Sequence, residues 1–272
     1  MAVLYGATAR HILPRGGTAL RTRLGSADDR LVFVVGSPRS GTTMLGQSLG
    51  SAPGFVDLGE VAPLKAALPD LAGLPEDEAS RRLRHVLERT RGLALVRGLR
   101  GVEQTPEMAF LVGAGLRAYP RARVVHIVRD GRDVACSLLE RGWLSAGHEG
   151  HDDAHLLYGA QARFWVELGR AQEFEHASDA TRAAWAWRRY VSAARQPVDR
   201  VLELRYEQLV ADPGGAAALI ATHIDAPREA LAEALTRVHD RSVGRHRHDL
   251  SAEQLTDIER EAGDLLGELG YR

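Results

Sequence analysis

Three short runs of mostly apolar residues recur along the chain, at residues 31–35, 124–128 and 201–204. Each run is rich in valine, isoleucine or leucine. Such runs are typical of strands in a parallel sheet, and the first two are predicted to be buried on both faces of it. A weaker apolar run at residues 93–96 is predicted to be a further strand.

Helical spacing of apolar residues fills most of the chain between these runs. Residues 42–49 place Met44, Leu45 and Leu49 at helical intervals, and the helix predicted at residues 130–141 begins with Asp130, a favourable N-cap. The other predicted helices are residues 76–91, 106–119, 161–195, 228–238 and 251–268, with one more beginning at Asp212 and Pro213. Strands that alternate with helices predict a three-layer α/β domain, with a central parallel sheet flanked by helices.

Two stretches show neither a continuous apolar run nor helical spacing of apolar residues. Residues 51–60 contain Pro53 and Gly54 and are predicted to be a loop, and residues 142–160 are predicted to be a mobile loop. We therefore divide the chain into an N-terminal lead-in at residues 1–30 and a single domain at residues 31–272.

The composition narrows the class of protein. The chain has 272 residues, 44% hydrophobic and 26% charged, and its formal net charge is -1, so no overall positive field favours nucleic acid. The single cysteine, Cys136, excludes an internal disulfide framework. No apolar run reaches the 18 residues of a membrane span, and the N-terminus lacks the pattern of a secretory signal. We therefore expect a cytoplasmic enzyme.

A glycine-rich segment, residues 36–43, follows the first predicted strand and reads GSPRSGTT. Gly36 and Gly41 allow successive backbone N–H groups to turn towards an anion, and the next helix adds its N-terminal N–H groups and its dipole. Nucleotide-binding P-loops have the same spacing of two glycines, so the domain is predicted to be P-loop-like. A strand–helix turn with incidental serine and threonine is the alternative.

This segment differs from the loop of a kinase at one position. A kinase carries a lysine directly after the second glycine, where this chain has Thr42. The fixed cation lies inside the loop instead, at Arg39, which suits one phosphate better than a triphosphate held with a metal. A P-loop kinase acting on a small molecule stays as an alternative, which the missing lysine disfavours.

A second group of phosphate-binding side chains is predicted where the second strand ends. Arg129 ends that strand, and Ser137 follows two helical turns later, so a guanidinium and a hydroxyl can converge on one phosphate. Arg141 lies one turn further on the same helix face. The alternative is that Arg129 pairs with a neighbouring carboxylate and that Ser137 is an ordinary helix-face hydroxyl.

Four segments, in the same order, resemble motifs of sulfotransferases that use 3′-phosphoadenosine 5′-phosphosulfate (PAPS). They are SPRSGTT at residues 37–43, VRDGRDVACS at residues 128–137, RYEQLV at residues 205–210 and SVGR at residues 242–245. The first resembles the 5′-phosphosulfate loop and the second the 3′-phosphate motif. The resemblance extends over residues 31–272.

The resemblance implies transfer of a sulfonyl group from PAPS to a hydroxyl or amine, with adenosine 3′,5′-bisphosphate as the product and no metal. The residues implied in nucleotide binding are Arg39, Ser40, Gly41, Thr42, Thr43, Arg129, Ser137, Arg141, Tyr206 and Arg245. An ordinary exposed arginine is the alternative for Arg245, and a strand-end aromatic is the alternative for Tyr206. The acceptor, a small molecule or a peptide, and the oligomeric state stay open.

The resemblance also implies a catalytic base. Cytosolic small-molecule enzymes of the family use a histidine, whereas tyrosylprotein-type enzymes use a glutamate soon after the first helix. The segment FVDLGE at residues 55–60 is similar to the glutamate version, which makes Glu60 the candidate general base. Asp57 is a weaker competitor, and an ordinary surface carboxylate is the alternative for Glu60.

The chain departs from the family pattern at one position. Where family members often have Glu-Lys-Thr-Pro, with a lysine that helps to stabilise the transferring group, this chain has the uncharged Gln104. Arg100 or Lys65, the only lysine, could substitute, and Arg39 is expected to stabilise the charge on the leaving phosphate oxygen. Gln104 also supports one more alternative, a catalytically idle nucleotide-binding protein of the same fold.

Residues 142–195 are the candidate lid and acceptor-site helices. Their three histidines, His148, His151 and His155, fit no common zinc spacing. We expect no metal site there and assign these histidines to a polar lid over the acceptor.

Overall fold

The computed structural model describes residues 1–13, 28–145, 164–195, 199–237 and 242–271. Its five strands are β1 Val32–Val35, β2 Phe55–Gly59, β3 Arg100–Glu103, β4 Arg123–Val128 and β5 Val201–Arg205. They form one sheet in the order β2-β3-β1-β4-β5, and every neighbouring pair is parallel. The predicted three-layer α/β fold with a central parallel sheet is confirmed, and β1 lies at its centre, as expected for a strand that leads into a phosphate loop.

The structure corrects three assignments made from the sequence. Residues 161–195, predicted to be one helix, contain two in their described part, Ala171–His176 and Asp179–Ala194, and residues 164–170 are not helical. Residues 51–60, predicted to be a loop, contain β2, in which Asp57 accepts a hydrogen bond from the Gly59 N–H at 2.7 Å. That bond satisfies a carboxylate inside an otherwise apolar strand, at the point where the pairing with β3 shifts register. Residues 93–96, predicted to be a strand, are the end of a helix and the turn after it, because Leu95 has a φ of 57°.

Helices cover both faces of the sheet. In chain order they are α1 Ala2–Ile12, α2 Thr42–Ser51, α3 Ala62–Ala72, α4 Glu76–Leu93, a 3₁₀ helix Pro106–Leu111, α5 Val112–Ala118, α6 Gly131–Arg141, α7 Ala171–His176, α8 Asp179–Ala194, α9 Tyr206–Ala211, α10 Pro213–Ile224, α11 Arg228–Ala234, a second 3₁₀ helix Leu235–Arg237, α12 His246–Asp249 and α13 Ala252–Glu268. None of the helices in the described ranges is long and apolar enough to cross a membrane.

The strand β1 shows how the two faces divide the core. Phe33 and Val35 pack in a cluster with α1, α3, α4, α5 and α8, whereas Val32 and Val34 pack in a second cluster with α2, α10 and α11. Side chains that alternate across a doubly buried strand explain why this run reads as continuously apolar. A third cluster joins α6, α8 and α13.

The predicted lead-in contains an ordered helix, α1. Its Tyr5 and Ile12 are buried in the first cluster, and helix α1 contacts α4, α3 and β2. The helix is thereby placed beside the end of β2, where the candidate base Glu60 follows. The division of the chain at residue 31 stays a prediction.

Candidate active site

The phosphate loop joins the end of β1 to the start of α2, and close packing fixes its shape. A Cβ atom on Gly36 would lie 2.4 Å from the Ile127 carbonyl oxygen, and one on Gly41, which has a φ of 97°, would lie 2.9 Å from the Tyr206 ring. Arg39 has a φ of 71°, in the left-handed region. The turn closes with a hydrogen bond from Ser40 N–H to the Ser37 carbonyl, at 3.1 Å. As at the start of any α-helix, the first N–H groups of α2 have no intrahelical partner, so they can bind an anion.

Arg129, at the end of β4, reaches across to this loop. Its Nη1 donates to the Arg39 carbonyl at 3.2 Å, and its Nη2 donates to the Ser242 carbonyl. The guanidinium lies over the Tyr206 ring, 5.0 Å from the ring centroid. The carboxylate of Asp133 lies 3.8 Å away, so the alternative of a nearby carboxylate partner is also seen.

The two predicted phosphate motifs are linked directly by side chains. Arg39 Nε donates to Ser137 Oγ at 2.9 Å, although 98 residues separate them. Arg39 also lies over the ring of Trp143, 5.7 Å from its centroid, and Arg141 lies 6.0 Å from the same ring. The guanidinium of Arg39 therefore lies between the loop after β1 and the helix after β4.

A cavity of about 230 Å³ opens at this junction. Its lining residues are Arg39, Gly41, Thr42, Thr43, Met44, Arg129 and Tyr206. Six of these seven were predicted from the sequence to contact the nucleotide. Two polar atoms beside the cavity, Ser40 Oγ and Arg129 Nε, are buried with no hydrogen-bond partner in the described part of the chain. Both suit an anionic ligand.

Arg245, which was also predicted to contact the nucleotide, lines neither this cavity nor the larger one described next. Its guanidinium donates to the carboxylates of Glu140 and Asp249. The backbone beside it is fixed by Asp133, which accepts from the Gly244 N–H at 2.7 Å and from the His246 N–H at 3.0 Å.

A second, larger cavity of about 480 Å³ adjoins the first. Its lining residues are Ala7, Thr8, His11, Pro38, Arg39, Thr42, Thr43, Gln47, Gly59, Glu60, Lys65, Gln104, Pro106, Glu107 and Trp143. Arg39, Thr42 and Thr43 line both cavities. The candidate base Glu60 therefore lies in a space that shares a wall with the phosphate loop.

The two carboxylates of the β2 segment differ in position. Glu60 lies in the larger cavity with 36% of its side chain exposed, and its Oε2 accepts from Lys65 Nζ at 2.5 Å. Asp57 is buried, accepts from the Gly59 backbone and does not line the cavity. The geometry favours Glu60 over Asp57 as the group that can meet an acceptor.

The side chain of Gln104 binds the backbone at the start of α2. With its amide nitrogen turned towards the carbonyls of Thr42 and Thr43, it donates to them at 3.2 Å and 3.1 Å. It therefore connects the end of β3 with the first turn of α2. Of the two cations expected to substitute for the family lysine, Arg100 lies at the opposite, amino end of β3 and donates to the carbonyls of residues 224 and 225, whereas Lys65 lines the larger cavity together with Gln104.

Burial is the main influence on the pKa of Glu103, a carboxyl group close to this cavity. Glu103 is fully buried at the end of β3, and burial raises the pKa of its carboxyl to about 8, with the nearby Glu60 and Glu107 also raising it. The Thr105 N–H, which donates to Glu103 at 2.9 Å, lowers the pKa and offsets part of this effect. Glu103 is therefore largely protonated and uncharged at neutral pH.

Sequence reasoning missed several residues of the larger cavity. Thr8 and His11 come from the predicted lead-in, and Glu107 and Trp143 lie in segments interpreted only as helix and loop. Glu107 follows Thr105 and Pro106 of the recognised segment, which was the one available signal; nothing in the sequence marked His11. The predicted lid histidines 148, 151 and 155 lie outside the described residues. Within the described ranges, no group of three or more histidine, cysteine, aspartate or glutamate residues could hold a metal ion.

Comparison with known proteins identifies the family. The sequence model of the sulfotransferase family matches residues 85–230, which is more than half of the chain. The chain belongs to the sulfotransferase family. The matched residues of this sulfotransferase include Arg129, Ser137 and Tyr206, whereas the phosphate loop and Glu60 precede them. A search of curated proteins gives no significant sequence match.

Solved structures of sulfotransferases share the fold. The sulfotransferase domain from the curacin biosynthetic pathway has a TM-score of 0.55 at 14% identity, covering 91% of this chain and 99% of that domain. The sulfotransferase domain of the Synechococcus PCC 7002 olefin synthase has a TM-score of 0.51 at 17% identity, covering 91% and 98%. A sulfotransferase from Mycobacterium tuberculosis has a TM-score of 0.51 at 18% identity, covering 94% and 81%. At these identities the likeness establishes the P-loop-like α/β fold.

Proposed function

We propose that this sulfotransferase transfers a sulfonyl group from PAPS to a hydroxyl or amine of a small-molecule or peptide acceptor in the cytoplasm, with Glu60 as the general base. One observation carries the proposal. Arg39, Thr42 and Thr43 line both the cavity at the phosphate loop and the cavity that contains Glu60. A nucleotide in the first cavity would present its sulfonyl group to an acceptor in the second.

The nucleotide would be held at both of its phosphates. Arg129 and Ser137 would bind the 3′-phosphate, assisted by Arg141 and Arg245, because their charge-assisted hydrogen bonds favour an anion. The N–H groups at the start of α2, with Ser40 and Arg39, would bind the 5′-phosphosulfate. The buried atoms Ser40 Oγ and Arg129 Nε support this assignment, since a phosphate oxygen would supply their missing partners.

The residues around Glu60 suit an in-line displacement. Glu60 would take the proton of the acceptor while the acceptor oxygen or nitrogen forms its bond to sulfur. The bond from sulfur to the bridging phosphate oxygen breaks, and its electron pair leaves with adenosine 3′,5′-bisphosphate. Arg39 and the N–H groups of Thr42 and Thr43 would stabilise the charge that develops on that oxygen.

Binding of adenosine 3′,5′-bisphosphate, measured by titration calorimetry, tests the nucleotide site. Arg39→Ala and Arg129→Ala should each weaken binding roughly 10- to 100-fold, because each removes a charge-assisted interaction. Arg82→Ala is the matched control, since Arg82 is an exposed arginine of α4 outside both cavities. No binding by the unaltered protein at submillimolar concentrations would overturn the proposal.

Transfer of label from PAPS to a panel of phenols, alcohols, amines and tyrosine peptides tests the chemistry. Glu60→Gln should bind the bisphosphate normally and lose turnover at least about 100-fold, the contribution typical of a general base. Persistent turnover in this variant would show that Glu60 is not the base. Magnesium-dependent binding of ATP in preference to the bisphosphate would favour a kinase instead. Nucleotide binding without transfer to any acceptor would favour an idle nucleotide-binding protein.

A further inference from the structure

Lys65 lies between two carboxylates in the wall of the larger cavity. Its Nζ is 2.5 Å from Glu60 Oε2 and 3.9 Å from Glu107 Oε1, and only 5% of its side chain is exposed. The three residues come from the end of β2, from α3 and from the first 3₁₀ helix. A buried ammonium is costly unless it is paired, so the two carboxylates stabilise its charge.

The two carboxylates of this Glu60–Lys65–Glu107 triad are not equivalent. Glu60 has 36% of its side chain exposed, whereas Glu107 has 2%. Glu107 Oε1 also accepts from the hydroxyl of Tyr190 at 3.4 Å, on α8. Glu60 can therefore meet an acceptor, while Glu107 is fixed behind the lysine.

We propose that Lys65 and Glu107 are positioning residues for Glu60: Lys65 holds Glu60 Oε2, and Glu107 compensates the ammonium when Glu60 takes the proton of the acceptor. This inference rests on the proposed function, because it assumes that Glu60 is the base. It also explains why the only lysine of the chain is placed at this buried position.

The charges of the triad explain why Glu107 is needed when Glu60 takes a proton. With both glutamates ionised and Lys65 protonated, the triad carries one net negative charge, and after proton transfer to Glu60 it carries none. Without Glu107 the same transfer would leave an uncompensated ammonium in a buried site, which is unfavourable. Glu107 therefore supplies the negative charge that balances the ammonium once Glu60 is neutral.

The atoms of the transfer balance with these positions. Lys65 binds Oε2, so the acceptor proton goes to Glu60 Oε1. The acceptor oxygen or nitrogen forms its bond to sulfur, and the phosphate oxygen leaves with the electron pair of the broken bond. Neither Lys65 nor Glu107 gains or loses a proton.

Four other titratable groups face the triad from neighbouring elements. They are His11 from α1, Arg39 from the phosphate loop, Glu103 from β3 and Tyr190 from α8. Glu103 does not compete for the lysine, because burial raises its pKa to about 8 and keeps it largely uncharged near pH 7. All four groups are unchanged in the variants below, so differences between variants report the triad.

The single lysine allows a test that needs no acceptor. Full-length protein carrying ¹³C- and ¹⁵N-labelled lysine gives one ammonium signal by NMR, assigned without further work because Lys65 is the only lysine. We expect this signal to show a pH step when Glu60 is protonated, and the step should vanish in Glu60→Gln. In Glu107→Gln the midpoint should move to lower pH by about one unit, because a neighbouring negative charge is lost.

Glu88→Gln is the matched control. It removes a part-buried carboxylate that pairs with Arg91 on α4, outside both cavities, and should leave the Lys65 signal as in the unaltered protein. The same midpoint in Glu107→Gln as in the control would overturn the inference.

Lys65→Met supplies a second, kinetic measurement, which decides the matter if Glu107→Gln does not fold. The acidic limb of the kcat/KM profile, measured with PAPS and the best acceptor of the panel, should move to higher pH by about one unit, because Glu60 loses its cation and faces Glu107. The opposite directions of the two variants distinguish positioning from a general loss of structure. A limb that does not move, in a protein that does transfer sulfonyl groups, overturns the inference and leaves the proposed function standing. Absence of all transfer overturns the proposed function and, with it, the catalytic role of the triad.

Discussion

At the scale of the residue, Arg39 combines a backbone role with a side-chain role. Its backbone adopts a left-handed φ of 71°, and its carbonyl accepts from Arg129 at 3.2 Å. Its side chain donates to Ser137 and lines both cavities. A non-glycine residue in this conformation is strained, so the surrounding contacts must maintain it.

Substitutions of Arg39 should separate these two roles. Arg39→Gly and Arg39→Ala should weaken binding of the bisphosphate to a similar extent, since both lose the guanidinium. Arg39→Gly should nevertheless be more stable than Arg39→Ala by about 1 kcal/mol, because glycine adopts a positive φ without strain. Urea unfolding followed by tryptophan fluorescence measures this difference. Equal free energies of unfolding would show that the left-handed backbone is not maintained in solution.

At the scale of the element, α2 connects the phosphate loop with the strand that carries Glu60. The helix packs against β2 through Gly50, where a Cβ atom would lie 2.5 Å from the backbone of Asp57. One turn earlier, a Cβ atom on Gly46 would lie 2.0 Å from the terminal amide group of Gln104. These glycines allow the close approach that places the two cavities side by side.

The Gly50 contact predicts a large effect of a small substitution. Gly50→Ala should lower the free energy of unfolding by about 2 kcal/mol, because the added methyl group meets backbone that cannot move aside. Gly92→Ala is the matched control in α4, where a Cβ atom meets nothing within 4 Å. It should leave stability unchanged or raise it by about 0.5 kcal/mol, through helix propensity. Urea denaturation compares them, and unchanged stability in Gly50→Ala would contradict the close packing.

At the scale of the whole molecule, the fold places a carboxyl group in its interior. Glu103 is buried at the end of β3, between β1 and β2 in the sheet. Its pKa is raised from 4.5 to about 8, chiefly by burial. Between these values the native protein binds a proton that the unfolded chain releases. The free energy of unfolding should therefore fall as pH rises through this window.

Glu103→Gln should remove that pH dependence. Glutamine copies the uncharged carboxyl and can still accept from the Thr105 N–H. The stability of the variant relative to the unaltered protein should therefore increase by about 1 kcal/mol per pH unit from pH 5 to pH 8. Urea unfolding at several pH values measures this difference. A difference that does not change with pH would show that Glu103 titrates normally in the fold.

The sequence by itself determined the elements whose signal is local. The strands at residues 31–35, 124–128 and 201–204, and the start of α6 at Asp130, all follow from neighbouring residues, as does the burial of the first two strands. The parallel α/β fold follows from their alternation with helices. The glycine spacing of the phosphate loop is equally local, so most of the predicted nucleotide-binding residues do line one cavity. Strand β2 was missed because its carboxylate and the preceding Pro53 and Gly54 read as a loop.

Only the tertiary structure decided how distant residues meet. It brings Arg39 to Ser137, places α1 beside Glu60, and puts Arg100 at the amino end of β3 and Lys65 in the cavity that contains Glu60. A spacing in the sequence cannot show which end of a strand a side chain reaches or which carboxylates surround a lysine. These contacts depend on the order of strands in the sheet and on burial, which sets the charge of Glu103 and the pairing of Lys65.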